Sequence, residues 1–144
     1  MSTQENKDTT RRLVEEVWNR GNWSVIEEVL APNFVGYISG SPEPFHGQEG
    51  YRSVINAYRT AFPDLHFNIE DLIADGDKVA FRYTATGTQR GDLSGIPPTN
   101  KSATVPGMVI LRYEGGKLTE QWVNLDLFGL MVQLGVIPAP GQAG

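Results

Sequence analysis

One carboxylate near the end of the chain stands among residue types that could bind and convert a small molecule. Asp126 follows a run that reads as a strand, and because strand side chains alternate, we expect Trp122, Asn124 and Asp126 to share one face. An aromatic ring, an amide and a carboxylate would suit a pocket wall better than a packed core. The alternate side chains would then form a packed outer surface or a subunit interface: Gln121, Val123, Leu125 and Leu127.

In an apolar pocket, Asp126 could work as an acid and a base. Burial would raise its pKa towards neutrality, because a low-dielectric environment disfavours the charged carboxylate. Such a group can take a proton from a carbon between two carbonyl groups and return it to the oxygen that becomes a hydroxyl. The alternative is that Asp126 only caps a helical stretch over residues 127–134, since Asp is common at that position. Both interpretations are open at the level of sequence.

Other candidate residues have a functional and a structural interpretation. Arg82 lies between Phe81 and Tyr83 and could polarise a substrate oxygen, although a solvated strand face or an ion pair to a neighbouring strand is the commoner place for it. Met108 is expected to line a cavity or the core. Tyr51 and Tyr58 lie on the apolar stripe of a helix, so packing accounts for both.

The composition excludes several classes of site. The chain has no cysteine and two histidines, His46 and His66, which rules out thiolate metal sites, cysteine nucleophiles and a three-histidine metal site. No metal or other cofactor is expected. A net charge of −5 argues against nucleic acid and anionic membranes as partners. Residues 1–12 show no targeting pattern and no apolar run could span a bilayer, so the expected location is the cytoplasm.

The elements that must position these residues follow from the spacing of apolar side chains. A 3.6-residue period predicts a first helix around residues 13–20, a second over 24–30 and a third over 51–62, with a short strand at 33–38. After Pro63 the period changes to two. Runs at 65–74 and 78–88, and again at 103–113 and 117–127, are joined by Gly-containing turns and predict two hairpins.

Helices followed by strands indicate an α+β fold in which the helices pack on one face of a curved, mainly antiparallel sheet. Residues 89–100 are rich in Gly and Pro and could form a rim over a pocket mouth or merely connect two strands. The 144 residues are expected to form one domain, with a tail that is loose beyond about residue 137.

Several strings in the chain resemble one family. They are LVEEVWNRGNWSVIEEVLAPNFVGY, FPDLHFNIEDLIADGDKVAFRYTATGT, SGIPPTN and WVNLDLFGLMVQLG, and the resemblance covers residues 8–135. It is to the SnoaL-like polyketide cyclases, or ester cyclases, of the NTF2-like superfamily. The resemblance implies a cone-shaped α+β barrel that encloses a deep, mostly apolar pocket and usually forms a homodimer.

The resemblance also implies roles for individual residues. Asp126, within NLDLFG, matches the Asp that serves family cyclases as acid and base in an intramolecular aldol closure. Many members carry histidine at three places where this chain has Tyr37, Gln89 and Gln121, and alternation along the last strand points Gln121 away from Asp126. The residues expected to bind substrate are Tyr37, Trp122, Asn124, Gln89, Arg82 and Met108.

Three functions are therefore open. The first is a cofactor-free cyclase or related isomerase acting on a hydrophobic, carbonyl-bearing small molecule. The second, favoured by the three missing histidines, is a non-catalytic module that binds a small molecule in the same pocket. The third is a dimerisation scaffold with a filled core. The epoxide hydrolases of the superfamily are disfavoured, because they need two Asp around an Arg and Thr84 stands where the second would be.

Overall fold

The computed structural model describes residues 2–138 and Gly141, and within them the chain forms four helices and six strands. In chain order these are α1 (Thr3–Arg12), which continues into a π-helical segment (Leu13–Trp18), α2 (Ser24–Val29), β1 (Leu30–Ile38), β2 (Phe45–His46), α3 (Gly47–Ala61), β3 (His66–Asp75), β4 (Lys78–Thr88), β5 (Ser102–Glu114), β6 (Lys117–Leu125) and α4 (Leu127–Gln133).

The strands form one curved sheet in the order β2-β1-β6-β5-β4-β3, which is not closed into a barrel. The β1–β6 pair is parallel and every other pair is antiparallel. The long hairpins β3–β4 and β5–β6 turn at Gly76 and at Gly115-Gly116, where the backbone has positive φ. The α+β class and both hairpins are confirmed, because turn chemistry and strand alternation are local signals.

Several boundaries differ from the prediction by one or more residues, and two of the differences have an identifiable cause. The strand β1 begins at Leu30 rather than at residue 33, and it includes Pro32. The β1–β6 register shifts between Leu30 and Val35, so the N–H that proline lacks falls where the ladder is already interrupted. The first helix starts at Thr3 because Ser2 and Glu5 form a reciprocal capping box, a signal that the apolar stripe does not contain.

The apolar side chains form two clusters on the helix-covered side of the sheet. The larger cluster joins the first three helices to β1, β4, β5 and β6, and includes Leu13, Val17, Ile55 and Leu118. The smaller one joins the end of α3 to α4 and the 89–100 loop. In the described part of the chain, none of the helices is long and apolar enough to cross a membrane. The predicted loose tail beyond residue 137 lies, except for Pro138 and Gly141, outside the described residues.

Candidate functional site

A cavity of about 80 Å³ lies between the sheet and the helices. Its walls come from the first helix, α3, five strands and α4, and it borders both apolar clusters. The lining is aliphatic and aromatic with a few uncharged polar groups. None of the described residues that line it is Asp, Glu, His, Lys or Arg. This cavity argues against the third predicted function, a dimerisation scaffold with a filled core.

The face of β6 that lines the cavity is the opposite of the predicted one. Gln121, Val123 and Leu125 line the cavity, whereas Trp122 and Asn124 lie on the outer face of the sheet. The prediction was wrong because alternation defines two faces and does not say which of them the helices cover. Burying the two apolar side chains under the helices removes their surface from water, and this decides the orientation.

Five predicted binding residues gather on the outer face. The rings of Tyr37 and Trp122 stack with centroids 6.2 Å apart and planes at 11°. Met108 lies in register between Asn124 of β6 and Arg82 of β4. The prediction that these five residues line the pocket is therefore wrong. They form a patch on the outer surface of the sheet instead.

Arg82 makes the ion pair that its structural interpretation anticipated. Its Nε lies 3.9 Å from the Oδ2 of Asp71 on the neighbouring strand β3, and both side chains are more than half exposed. An exposed pair at that distance adds little stability. Arg82 therefore points to solvent and has no access to the cavity.

Gln89 is fully buried, but beneath the 89–100 loop rather than on the cavity. Its Nε2 donates to the carbonyls of Gly91, Ile96 and Pro97 at 3.1–3.2 Å. Its Oε1 accepts from the backbone N–H of Thr99 and from its hydroxyl, at 3.2 and 2.8 Å. The amide is saturated, so it holds the loop in shape, and the expected role in substrate binding has no geometry to support it.

Asp126 is exposed and caps α4. Its Oδ1 accepts a hydrogen bond of 2.9 Å from the backbone N–H of Gly129, which confirms the capping interpretation. A Cβ at Gly129 would overlap the Asp126 carboxylate, so a larger residue there would force the capping side chain to move. The residues on either side of the cap, Leu125 and Leu130, line the cavity while Asp126 does not. The carboxylate is thus next to the cavity along the chain but turned towards solvent.

Gln121, Tyr58 and Tyr83 are among the polar residues that line the cavity, together with Thr10, Trp18, Tyr51 and Thr86. Burial raises the pKa of the Tyr58 and Tyr83 phenols, so each stays a protonated hydrogen-bond donor well above neutral pH. The ring of Tyr83 crosses its strand partner Gly107, where any Cβ would overlap it. Sequence analysis missed Gln121 as a pocket residue, although a lone amide in the apolar series Gln121, Val123, Leu125 was the available signal.

The π-helical segment shapes the remaining wall. Its wider turn is visible in the bond from the Asn19 N–H to the Val14 carbonyl, five residues back, at 2.9 Å. It brings the indole of Trp18 edge-on to Tyr51 and Phe67, with the Trp18 Nε1–H donating to the Tyr51 hydroxyl at 2.9 Å. This hydrogen bond satisfies both polar groups within the wall.

Comparison with known proteins relates the whole chain to one group. A sequence model described as SnoaL-like polyketide cyclase matches residues 8–134. A candidate SnoaL-like polyketide cyclase from Jannaschia sp. CCS1 superposes with a TM-score of 0.87 at 25% identity, over 94% of this chain and 95% of its own. AclR, a candidate hydroxylase from Streptomyces galilaeus, gives 0.84 at 28% identity over 98% and 87%. A candidate polyketide cyclase from Acidithiobacillus ferrooxidans gives 0.81 at 31% over 94% and 98%. No curated protein sequence matches significantly.

Proposed function

Because the chain belongs to the SnoaL-like polyketide cyclase family, we propose that its cavity binds a hydrophobic small molecule that carries a carbonyl group. The family and its cyclase and hydroxylase neighbours support a general cyclase- or isomerase-type role. The observation that carries the proposal is the lining of the cavity, which is apolar apart from uncharged donors and acceptors. Such a lining favours a neutral ligand, because an ion would lose its hydration without gaining a partner of opposite charge.

Binding without turnover is the function that this geometry supports best. A general base must come within hydrogen-bond reach of the proton that it removes. No carboxylate or imidazole lies among the described residues of the lining, and the Asp126 carboxylate is exposed and bonded to Gly129. The non-catalytic alternative is therefore our first choice for this chain.

Acetophenone, a neutral aromatic ketone, serves as the probe for cavity binding. We expect it to shift the methyl NMR signals of Val109 and Val123, which line the cavity, and not those of the exposed Val136. Val109→Phe should fill the cavity and abolish these shifts in a protein that melts cooperatively. The matched control is Ile110→Phe, one residue along β5 and on the outer face, which should bind like the wild type. Equal binding by both variants would place the ligand elsewhere.

A second candidate is ring closure with Asp126 as acid and base, and its position between Leu125 and Leu130 favours it. The carboxylate would take a proton from a carbon between two carbonyls, and that carbon would attack a third carbonyl of the same molecule. A C–C bond forms as the C=O π bond breaks, and the alkoxide recovers the proton from the carboxylic acid. Atoms and charge balance without a co-reactant.

Nonane-2,4,8-trione, which can close to a hydroxycyclohexanone, separates the two candidates. Non-catalytic binding predicts no closure above the rate in buffer. Catalysis predicts an acceleration that Asp126→Asn reduces by about a hundredfold or more, because the amide cannot accept the proton. Asn caps helices about as well as Asp, so the fold and acetophenone binding should survive this substitution. An acceleration that Asp126→Asn leaves intact would exclude Asp126 as the base.

We propose the outer face of the sheet as the interface of a homodimer. A row of largely apolar side chains crosses five strands in register there: Tyr37, Trp122, Ile110, Ala80 and Ile73. Ile73 is 64% exposed and Ile110 is 44% exposed, and a contiguous apolar patch of this kind marks an interaction site. Arg82 and Asp71 beside the row could pair across a two-fold axis.

The solution mass of the protein tests this interface. Ile110→Glu should convert a dimer to a monomer in sedimentation velocity, because the charge would be buried unpaired. Val136→Glu adds the same charge at an exposed apolar residue outside the row and should leave the mass unchanged. A wild-type monomer at high concentration would contradict the proposal. The single domain over residues 1–144 and the cytoplasmic location remain predictions.

A further inference from the structure

Gln121 is a buried residue whose carboxamide has no hydrogen-bond partner among the described residues. The residue is 4% exposed and faces the cavity from β6, between Leu111 of β5 and Gly36 of β1. Its side chain makes no hydrogen bond to any described residue. Within the described chain, every side-chain nitrogen or oxygen that is sealed from solvent has a partner. The Gln121 amide therefore retains some accessible surface, and the residue lines the cavity.

A structural role would require the opposite arrangement. A buried amide that supports a fold is hydrogen-bonded, because leaving its donors and acceptor unpaired opposes folding. Gln89 shows the bonded case in this molecule, with five bonds from its amide to the 89–100 loop. Gln121 has the same side chain and comparable burial, and none of those bonds. Its donors and acceptor are available to a molecule in the cavity.

The surroundings of Gln121 are apolar. Leu111 flanks it in the sheet, and Phe45 packs on the neighbouring Gly36, where a Cβ would overlap the ring. Gln121 lies four residues, roughly 13 Å along the strand, from Leu125 at the end of β6. Tyr58 and Tyr83 also line the cavity, and their phenols bond no described residue. A ligand bound here meets one amide within a hydrophobic wall.

We propose that Gln121 anchors the ligand through both halves of its carboxamide and selects an uncharged molecule with a carbonyl oxygen beside an N–H or O–H group. Its Nε2–H donates to the ligand carbonyl and its Oε1 accepts from the adjacent donor, in two parallel hydrogen bonds. Carboxamides, lactams and other neutral compounds with this donor–acceptor edge are the class that fits. The inference rests on the proposed binding function and specifies its ligand.

Three monocyclic probes of similar shape test the anchor: benzamide, benzoate and ethylbenzene. In NMR titrations at neutral pH we expect benzamide to bind the wild type roughly tenfold more tightly than ethylbenzene, the gain of a desolvated hydrogen-bonded pair. Benzoate should bind most weakly, since it is charged and lacks the donor. The Gln121 side-chain NH₂ signals should shift with benzamide only.

Gln121→Met, which keeps the length of the side chain, should remove the preference for benzamide and leave ethylbenzene binding equal or tighter. The melting temperature of this variant should be unchanged or higher, because no hydrogen bond to the protein is lost. The control is Asn124→Leu, which replaces an amide on the outer face of the same strand and should bind all three probes like the wild type.

The outcomes separate this inference from the proposed function. If benzamide and ethylbenzene bind the wild type equally, or if Gln121→Met keeps the preference, Gln121 is not the anchor although the cavity still binds. If the melting temperature of Gln121→Met falls sharply, the amide has a structural role and the inference is wrong. If none of the three probes nor acetophenone binds, the proposed function fails together with it.

Discussion

Two buried glutamines show how much a residue's role depends on its partners. Gln89 and Gln121 carry the same amide, and they are two of the positions where the resemblance implies histidine in many family members. All hydrogen-bonding groups of the Gln89 amide are bonded to the 89–100 loop, whereas the Gln121 amide faces the cavity. The structural interpretation therefore holds for one residue and the functional interpretation is proposed for the other.

At this scale we predict that Gln89→Leu destabilises the fold by about 3 kcal/mol or more, because the carbonyls of Gly91, Ile96 and Pro97 lose a buried donor. Urea denaturation measures the loss. Gln121→Met serves as the comparison and should cost nearly nothing. Equal costs for the two variants would mean that the bonds under the loop contribute little.

The elements depend on a few close approaches and caps. The ring of Tyr83 on β4 lies over Gly107 of the neighbouring strand β5, and any side chain at Gly107 would overlap the ring. The side chain of Asn19, which directly follows the π-helical segment, covers the edge strand β3 at Phe67. The Asn19 Oδ1 accepts from the Phe67 N–H at 2.7 Å and its Nδ2 donates to the Phe67 carbonyl at 3.1 Å, as a neighbouring strand would.

Gly107→Ala should lower the free energy of unfolding by about 1–3 kcal/mol, since the new methyl must displace the Tyr83 ring. In a Tyr83→Leu background the same substitution should cost much less, because the clash is gone. A double-mutant cycle followed by thermal denaturation gives the coupling. Additive costs would show that the overlap is relieved by the backbone instead.

Asn19→Ala should expose the edge of β3 at Phe67. We expect the amide hydrogen of Phe67 to exchange with solvent faster, because it donates to the Asn19 oxygen and loses this acceptor in the variant. Asn68→Ala is the neighbouring control, since the Asn68 side chain bonds only the exposed Glu70. Hydrogen exchange by NMR reads out both, and unchanged protection of Phe67 in Asn19→Ala would contradict the role of Asn19.

Across the described part of the molecule, the interior contains tyrosines and no charged side chain is buried. Burial raises the pKa values of Tyr51, Tyr83 and Tyr113 in the folded protein. Tyr113 and Thr10 share a hydroxyl hydrogen bond of 2.8 Å between β5 and α1. The fold therefore depends on phenols that stay protonated.

Alkaline pH should consequently unfold the protein. A phenol whose pKa is raised by folding stabilises the native state fully below its unfolded pKa of about 10, and this stabilisation is lost as the pH rises above that value. Tyrosinate absorbance of the buried phenols should rise only together with the loss of circular dichroism. Tyr83→Phe removes one such phenol without breaking a bond to a described residue, so its transition should move to higher pH. Titration of these phenols ahead of unfolding would contradict the prediction.

The α+β class, α3 and the two long hairpins could be predicted from the amino-acid sequence alone. This was possible because turn residues and apolar periods act within a few residues of each other. The helix cap at Asp126 was also one of the predicted alternatives. The sequence did not show that Tyr37 and Trp122 would stack on the outer face of the sheet.

Only the tertiary structure decided which face of β6 is inside. Alternation offers two equivalent faces, and the choice belongs to the helices that cover one of them, far away in the chain. That choice moved Tyr37, Trp122 and Asn124 to the outer surface and brought Gln121 into the cavity. Burial and hydrogen-bond partners are properties of the packed chain, and therefore two glutamines that look alike in sequence have different surroundings in the fold.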